Sequence, residues 1–175
     1  ANLRHTDLYN TNLKNTNLRY AKHCSDLRVN GADLSGVDLS GILFKDVRFR
    51  GVNLSGANLE GCSFSSVNER FMDNVNLKEA NLKNAYIKNY NLHDSNFENA
   101  SLENATIEAA TLSGCNFFGG NFKDMIIVNE ESLQNTNLDE NALEQLDLNS
   151  DIVDLNINCN ENQIQKSYGL YERTL

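Results

Sequence analysis

The chain has 175 residues, no proline and no tryptophan, a formal charge of −9 and four cysteines. That length fits a single extended domain, and no apolar run is long enough to cross a membrane as a helix. The cysteines, at 24, 62, 115 and 159, show neither CxxC spacing nor a companion histidine pair, which argues against a zinc site.

From the first residues, leucine falls at every fifth position: Leu3, Leu8, Leu13 and Leu18, with Thr6, Thr11 and Thr16 two places before a leucine. The text begins inside this pattern without an initiator Met or a secretory leader, and is expected to be a piece of a longer protein or a trimmed form of one. Between Leu18 and Leu34 the spacing is one residue longer than three units. The best threading of this irregular segment, 20–30, puts His23 and Val29 at the apolar centres and Gly31 at the next corner. Regular spacing resumes at Leu34, Leu39, Phe44, Phe49, Leu54, Leu59 and Phe64. A second irregular segment, 65–74, holds three extra residues that must bulge outward before Met72 resumes the series. The longest regular stretch follows, with centres at Leu77, Leu82, Ile87, Leu92, Phe97, Leu102, Ile107, Leu112, Phe117, Phe122 and Ile127. Two places before each centre sits a residue that is mostly small: Val75, Ala80, Ala85, Tyr90, Ser95, Ala100, Ala105, Ala110, Cys115, Gly120 and Met125. After one inserted residue the centres continue as Leu133, Leu138, Leu143 and Leu148. Residues 149–175 are mostly unpatterned and read as a cap or linker beyond a repeat domain at 1–148.

A five-residue step rotates an α-helix by roughly 140°, so these apolar positions would be smeared around it instead of striping one face. In an extended chain the small residue and the apolar one share a side, but the next unit starts with opposite parity. The chain must therefore turn once per pentapeptide, always with the same hand, and wind into a coil. Corners need residues that tolerate left-handed backbone angles, and two places after the centres stand Gly36, Gly41, Gly51, Gly56, Gly61, Asn74, Asn84, Asn89, Asp94, Asn99, Asn104, Gly114, Gly119 and Asp124.

Triplets such as Ala32-Asp33-Leu34, Ala57-Asn58-Leu59 and Ala80-Asn81-Leu82, recurring every five residues, resemble the A(N/D)LXX signature of the pentapeptide-repeat family. The resemblance implies an all-β fold, a right-handed quadrilateral parallel β-helix with four pentapeptides per coil. Four to a coil, the centres stack into columns. One reads Leu13, Leu34, Leu54, Leu77, Phe97, Phe117 and Leu138; the next Leu18, Leu39, Leu59, Leu82, Leu102, Phe122 and Leu143. A third reads Leu3, His23, Phe44, Phe64, Ile87, Ile107, Ile127 and Leu148, and the fourth Leu8, Val29, Phe49, Met72, Leu92, Leu112 and Leu133. About seven coils at the strand spacing give a rod roughly 35 Å long.

Charges after the centres alternate up the second column from Glu60 through Lys83, Glu103, Lys123 and Glu144, and Arg50, Asp73 and His93 form a similar ladder on the fourth. Cys62 and Cys115 occupy inner positions as reduced core thiols, while Cys24 lies in an irregular segment with its exposure open. No Ser, His and Asp set converges, so no catalytic, metal or cofactor site is expected.

Residues 1–88 carry a net +3 and residues 89–175 a net −12. Some members of the resembled family mimic DNA and bind DNA gyrase, a role that asks for acidity along the rod. Lys14, Arg19, Lys45, Arg48 and Arg50 interrupt any such stripe here, so mimicry is the second reading. The first is a non-catalytic protein-interaction scaffold, in its most concrete form the recruiting module of a larger bacterial effector, cytoplasmic or secreted into a host cell. Its partner is expected to be another protein and not nucleic acid, and contact is expected where the repeat fails, at Lys22, Arg28, Glu69 and Arg70.

Overall fold

In a computed structural model of the chain, residues 2–21, 24–128 and 135–146 are described, with Glu69, Arg70 and Leu143 described by their backbone alone. Six short strands form one parallel sheet in chain order: β1 (Cys24–Ser25), β2 (Leu43–Lys45), β3 (Ser63–Phe71), β4 (Tyr86–Asn91), β5 (Thr106–Glu108) and β6 (Ile126–Val128). A parallel sheet of consecutive strands requires a full circuit of chain between neighbours. The other sides of that circuit are stacked too, as single parallel bridges: Asn12, Asp33, Asn53, Asn76, Asn96, Asn116 and Asn137 on one, Asn17, Asp38, Asn58, Asn81, Ser101 and Asn121 on the next. The protein is an all-β parallel solenoid with four faces. Five turns separate β1 from β6 on the strand face, slightly fewer than the seven coils expected for the whole repeat.

The corners adopt the backbone the sequence demands of them. Asn74, Asn84, Asn89, Asp94, Asn99, Asn104 and Asp124 all have φ between 56° and 57°. Glu79 (φ 59°) and Ala109 (φ 50°) are forced into the same region without side chains suited to it. Gly119 (φ 72°) shows what a corner glycine contributes: an added Cβ would lie 2.2 Å from Asn99 Oδ1, the movable end of a side chain, so most of the cost is conformational. Gly119→Ala is expected to destabilise by about 1 kcal/mol or slightly more, read as a lowered urea midpoint.

The asparagine before each centre also has a physical reason. Asn76 Oδ1 accepts the Lys78 N–H two residues on (3.2 Å), while Asn76 Nδ2 donates to Asn53 Oδ1 one coil below (3.1 Å). One side chain thus closes a turn and links two coils. The same two ladders descend to Asp33 and Asp38, which accept from Asn53 and Asn58 and, being carboxylates, offer acceptors alone. The backbone N–H groups of Ser35 and Ser40 are the main reason both carboxyls are held below the usual aspartate value. A folded value depressed below the unfolded one gives stability that is present above about pH 4 and is lost as pH falls through the lower folded value. Replacing both residues with asparagine is expected to flatten this acid limb, measured as Tm at pH 3 and pH 7.

Within the coil, Leu34, Leu54, Leu77, Phe97, Phe117, Leu39, Leu59, Leu82, Leu102, Phe122, Phe44, Phe64, Ile87 and Ile107 are buried, and Ile127, near the end of the stack, is partly buried. The irregular segments differ from the threading in instructive ways. Cys24, not His23, takes the centre below Phe44, as its register partner shows, and is 2% exposed. Asp26 (φ 55°) then makes the corner and Leu27 the inner position before Val29. His23 lies outside the described residues. In the second segment Ser65 pairs with Lys88 and Arg70 with Tyr90, so three surplus residues leave the ladder, and Met72 is buried as the next centre.

Leu143 falls in a short helix, α1 (Glu140–Gln145), and not in a coil. This helix supplies hydrogen-bond partners that a further coil would otherwise supply. Gly119 N donates to Asp139 Oδ2 (2.7 Å), Phe122 N donates to Gln145 Oε1 (2.6 Å), and Asn141 Nδ2 donates to the Gly120 carbonyl (3.2 Å). Asp139 is also the N-cap of α1, accepting from Ala142 N. The open strand edge on this side is therefore terminated by side chains. The proposed positions of Leu133 and Leu148, and the cap or linker at 149–175, lie outside the described residues.

Candidate functional site

Three outward-pointing lysines of the upper coils are paired with glutamates. Lys78 Nζ lies 3.0 Å from Glu98, Lys83 Nζ 2.7 Å from Glu103 and Lys88 Nζ 2.7 Å from Glu108, each pair joining vertically adjacent coils. Tyr86 donates its hydroxyl to the same Glu108 carboxylate. Each lysine is shifted upward, first by its hydrogen bond to glutamate and then by the attraction of the charge. Arg50 meets Asp73 at 2.8 Å. His93 does not continue that ladder: it pairs with its neighbour Asp94 (3.0 Å) and bonds Ser113 (2.8 Å).

The lower coils break this rule on one edge. A groove of about 380 Å³ runs along the corner where the strand face meets the next face, lined by His5, Asp7, Asp26, Arg28, Asp46 and Arg48. Its residues come from two neighbouring columns. His5, Asp26 and Asp46 are corner residues with φ of 55° to 58°. Asp7, Arg28 and Arg48 lie directly above one another as bridge partners. Arg28 reaches Asp7 at 3.9 Å and His5 reaches Asp26 at 3.7 Å, all four side chains remaining largely exposed. Two arginines thus stand rung on rung, an arrangement that repels, unlike the Lys–Glu rungs of the upper coils.

The β3 bulge stands at the upper end of this groove and is pinned on both flanks. Asp46 Oδ1 accepts from Ser66 Oγ (2.8 Å) and from Val67 N (3.0 Å), and Asn89 Nδ2 donates to the Ser66 carbonyl (2.8 Å). On the far side the Arg50 guanidinium lies 5.3 Å over the Phe71 ring while bonded to Asp73. Burial pushes the Asp73 carboxyl up, but the bonds from Arg50 and Asn74 outweigh it and hold the group below the usual value. Between these anchors Val67 is 73% exposed and Phe71 is 54% exposed.

Of the residues expected to meet a partner, Arg28 lines the groove, the backbone of Glu69 lies in the bulge and that of Arg70 at its end, where the ladder resumes opposite Tyr90, while Lys22 lies outside the described residues. Arg48 was missed as a site residue. Its signal was present in the column Leu8, Val29, Phe49, because the residue just before each of the last two centres is an arginine.

Among the described residues the thiols offer no nucleophile. Burial pushes Cys62 and Cys115 up to about 12, and raises Cys24 as well. Cys62 and Cys115 donate to the carbonyls of Leu39 and Leu92, in keeping with inner structural positions. Among the described residues no group of three His, Cys, Asp or Glu side chains is placed to hold a metal, and no helix is long and apolar enough to cross a membrane.

Comparison with known proteins matches a family described as pentapeptide repeats, in eight copies over residues 1–22, 30–68 and 86–124. The gaps in that match contain much of both irregular segments. Among solved structures, a trypsin-treated variant of QnrB1, a plasmid-mediated fluoroquinolone resistance protein, is 19% identical, with 97% of this chain and 90% of that one covered and a TM-score of 0.56. A pentapeptide repeat protein from the thylakoid lumen of Arabidopsis thaliana is 15% identical over 74% of this chain and 70% of that one, with a TM-score of 0.34. At such identities the likeness to QnrB1 is one of fold. No protein of curated function matches the chain.

Proposed function

Because the chain belongs to the pentapeptide-repeat family, we propose that it is a non-catalytic scaffold that binds another protein where its coils depart from regularity. The observation that carries this reading is the β3 bulge, a protrusion whose flanks are bonded to the coils below and above while Val67 and Phe71 face solvent. A preformed apolar projection beside a charged groove costs little to order on binding, which favours its use as a contact. On the upper faces, by contrast, Lys78, Lys83 and Lys88 are each paired with a glutamate. Recruitment of a partner or substrate for a larger bacterial effector protein is the concrete form of this role.

Cross-linking followed by mass spectrometry in the source cells tests it. Cross-links from this chain to one other polypeptide, concentrated at residues 20–30 and 65–74, are the expected result. A uniform distribution over all four faces would overturn the reading. Mimicry of DNA toward gyrase is the second reading, motivated by the shared fold with QnrB1. It predicts inhibition of gyrase supercoiling by micromolar protein, and the positive charge of residues 1–88 works against it.

A further inference from the structure

The groove below the bulge has a composition that its folding role does not explain. Arg28 and Arg48 are bridge partners on adjacent coils, about 4.8 Å apart along the rod, and like charges so placed oppose folding. Arg28 has Asp7 at 3.9 Å, the outer limit of an ion pair, and Arg48 has no ion-pair partner among the described residues. Beside this cationic column runs the corner column of Asp26 and Asp46, of opposite sign. Two parallel stripes of opposite charge therefore face solvent in one groove, with exposed Val67 at its upper end.

We propose that this groove docks a mixed-charge polypeptide segment lying along the rod axis, its acidic side chains on Arg28 and Arg48 and its basic side chains on the Asp26 edge. The proposal rests on the reading of the chain as a protein-binding scaffold and names the partner's chemistry. Each guanidinium presents the planar fork of donors that pairs bidentately with a carboxylate, and the two forks stand one coil apart. Asp7, Asp26 and Asp46 select the class of partner. A nucleic acid or an anionic membrane carries one sign of charge throughout and meets repulsion along the aspartate column, whereas a protein segment can carry both signs at the required separation. Val67 offers such a segment an apolar contact where it leaves the groove.

The test uses the full chain and fluorescein-labelled probes: a dodecapeptide of alternating Glu and Lys ending in leucine, an all-Glu peptide of equal length, and a single-stranded dodecanucleotide. Fluorescence anisotropy is expected to show the mixed peptide binding most tightly, with affinity falling as salt is raised. Arg28→Gln with Arg48→Gln, and separately Asp26→Asn, are each expected to weaken that binding by about tenfold, while Lys83→Gln on a regular face leaves it unchanged. Tm supplies the second readout. Removing two stacked like charges is expected to leave Tm unchanged or raise it, so a fall in Tm in step with lost binding would assign the arginines to folding and overturn the proposal. Tighter binding of the oligonucleotide or the all-Glu peptide would also overturn it, as would no binding of the mixed peptide. Equal binding of that peptide by wild type and the double variant removes the arginine site while leaving the scaffold reading intact. Only the cross-linking result bears on the scaffold reading itself.

Discussion

Tyr90→Ala is expected to destabilise the protein by about 3–5 kcal/mol, and Tyr90→Phe by about 1–3 kcal/mol, both read from urea denaturation followed by circular dichroism. Tyr90 occupies an inner position that elsewhere in the regular stretch holds mostly small residues, and it is fully buried. The bulge one coil below makes this possible. In regular coils the carbonyl of the inner residue accepts a backbone N–H from the coil above, as Ala32 does from Asn53 at 2.9 Å. At the bulge the wall of the coil moves outward, and the Val47 carbonyl accepts the Tyr90 hydroxyl at 3.0 Å, from 43 residues away. The ring fills the space between, 6.5 Å from Phe49 in an edge arrangement. Truncation to alanine leaves a cavity, and removal of the hydroxyl alone leaves a buried carbonyl unpaired. A Tyr90→Phe variant as stable as wild type would show that the hydroxyl plays no such role.

Phe64→Ala carries the second large effect, also about 3–5 kcal/mol. Phe64 is fully buried, stacked on Phe44 with centroids 5.0 Å apart and an 18° angle, and set edge-on to Phe49 at 5.4 Å. These rings fill the coils on which the bulge rests. Phe64→Leu separates filling from ring contact and is expected to retain most of the stability, since aromatic pairs add about 0.5–1.5 kcal/mol each beyond the area they bury. Apart from the reach of Tyr90 past the bulged coil, each coil packs on its immediate neighbours, so the loss should be local. Hydrogen exchange is expected to accelerate first in the coils that hold Phe44 and Ile87; uniform acceleration along the whole rod would contradict nearest-neighbour stability.

Most of the solenoid is legible in the sequence because its period leaves one solution. Asn12 and Asn137 stand at opposite ends of a single bridge column, which the spacing of centres lays out once the resemblance supplies four pentapeptides to a coil. Where one residue is inserted between Leu18 and Leu34, however, the period is equally satisfied with His23 or Cys24 at the centre. Burial of the smaller thiol below Phe44 decides between them. At the other end, Leu138, Ala142 and Leu146 are spaced by four, a helical interval that the leucine at 143 obscures. The helix then forms because Asp139, Asn141 and Gln145 can bond the last coil. The groove was half visible. Arg28 stood in an irregular segment, but its partner Arg48 lies in regular text, and only reading the residues before the centres as a column brings the two together.

The five-residue period by itself determined that the chain coils and which residues make most of its core, because no helix or flat strand keeps those apolar positions on one side, while the four columns followed from the resemblance to the pentapeptide-repeat family. Tertiary structure alone decided which residues of an irregular segment turn inward and where its surplus goes. Those choices depend on the coils above and below, some twenty residues away in sequence, as the pairings of Arg70 with Tyr90 and Cys24 with Phe44 show. The likeness of charge between Arg28 and Arg48 acquires its physical meaning only through that stacking, since residues twenty apart repel one another only when the fold sets them on adjacent rungs.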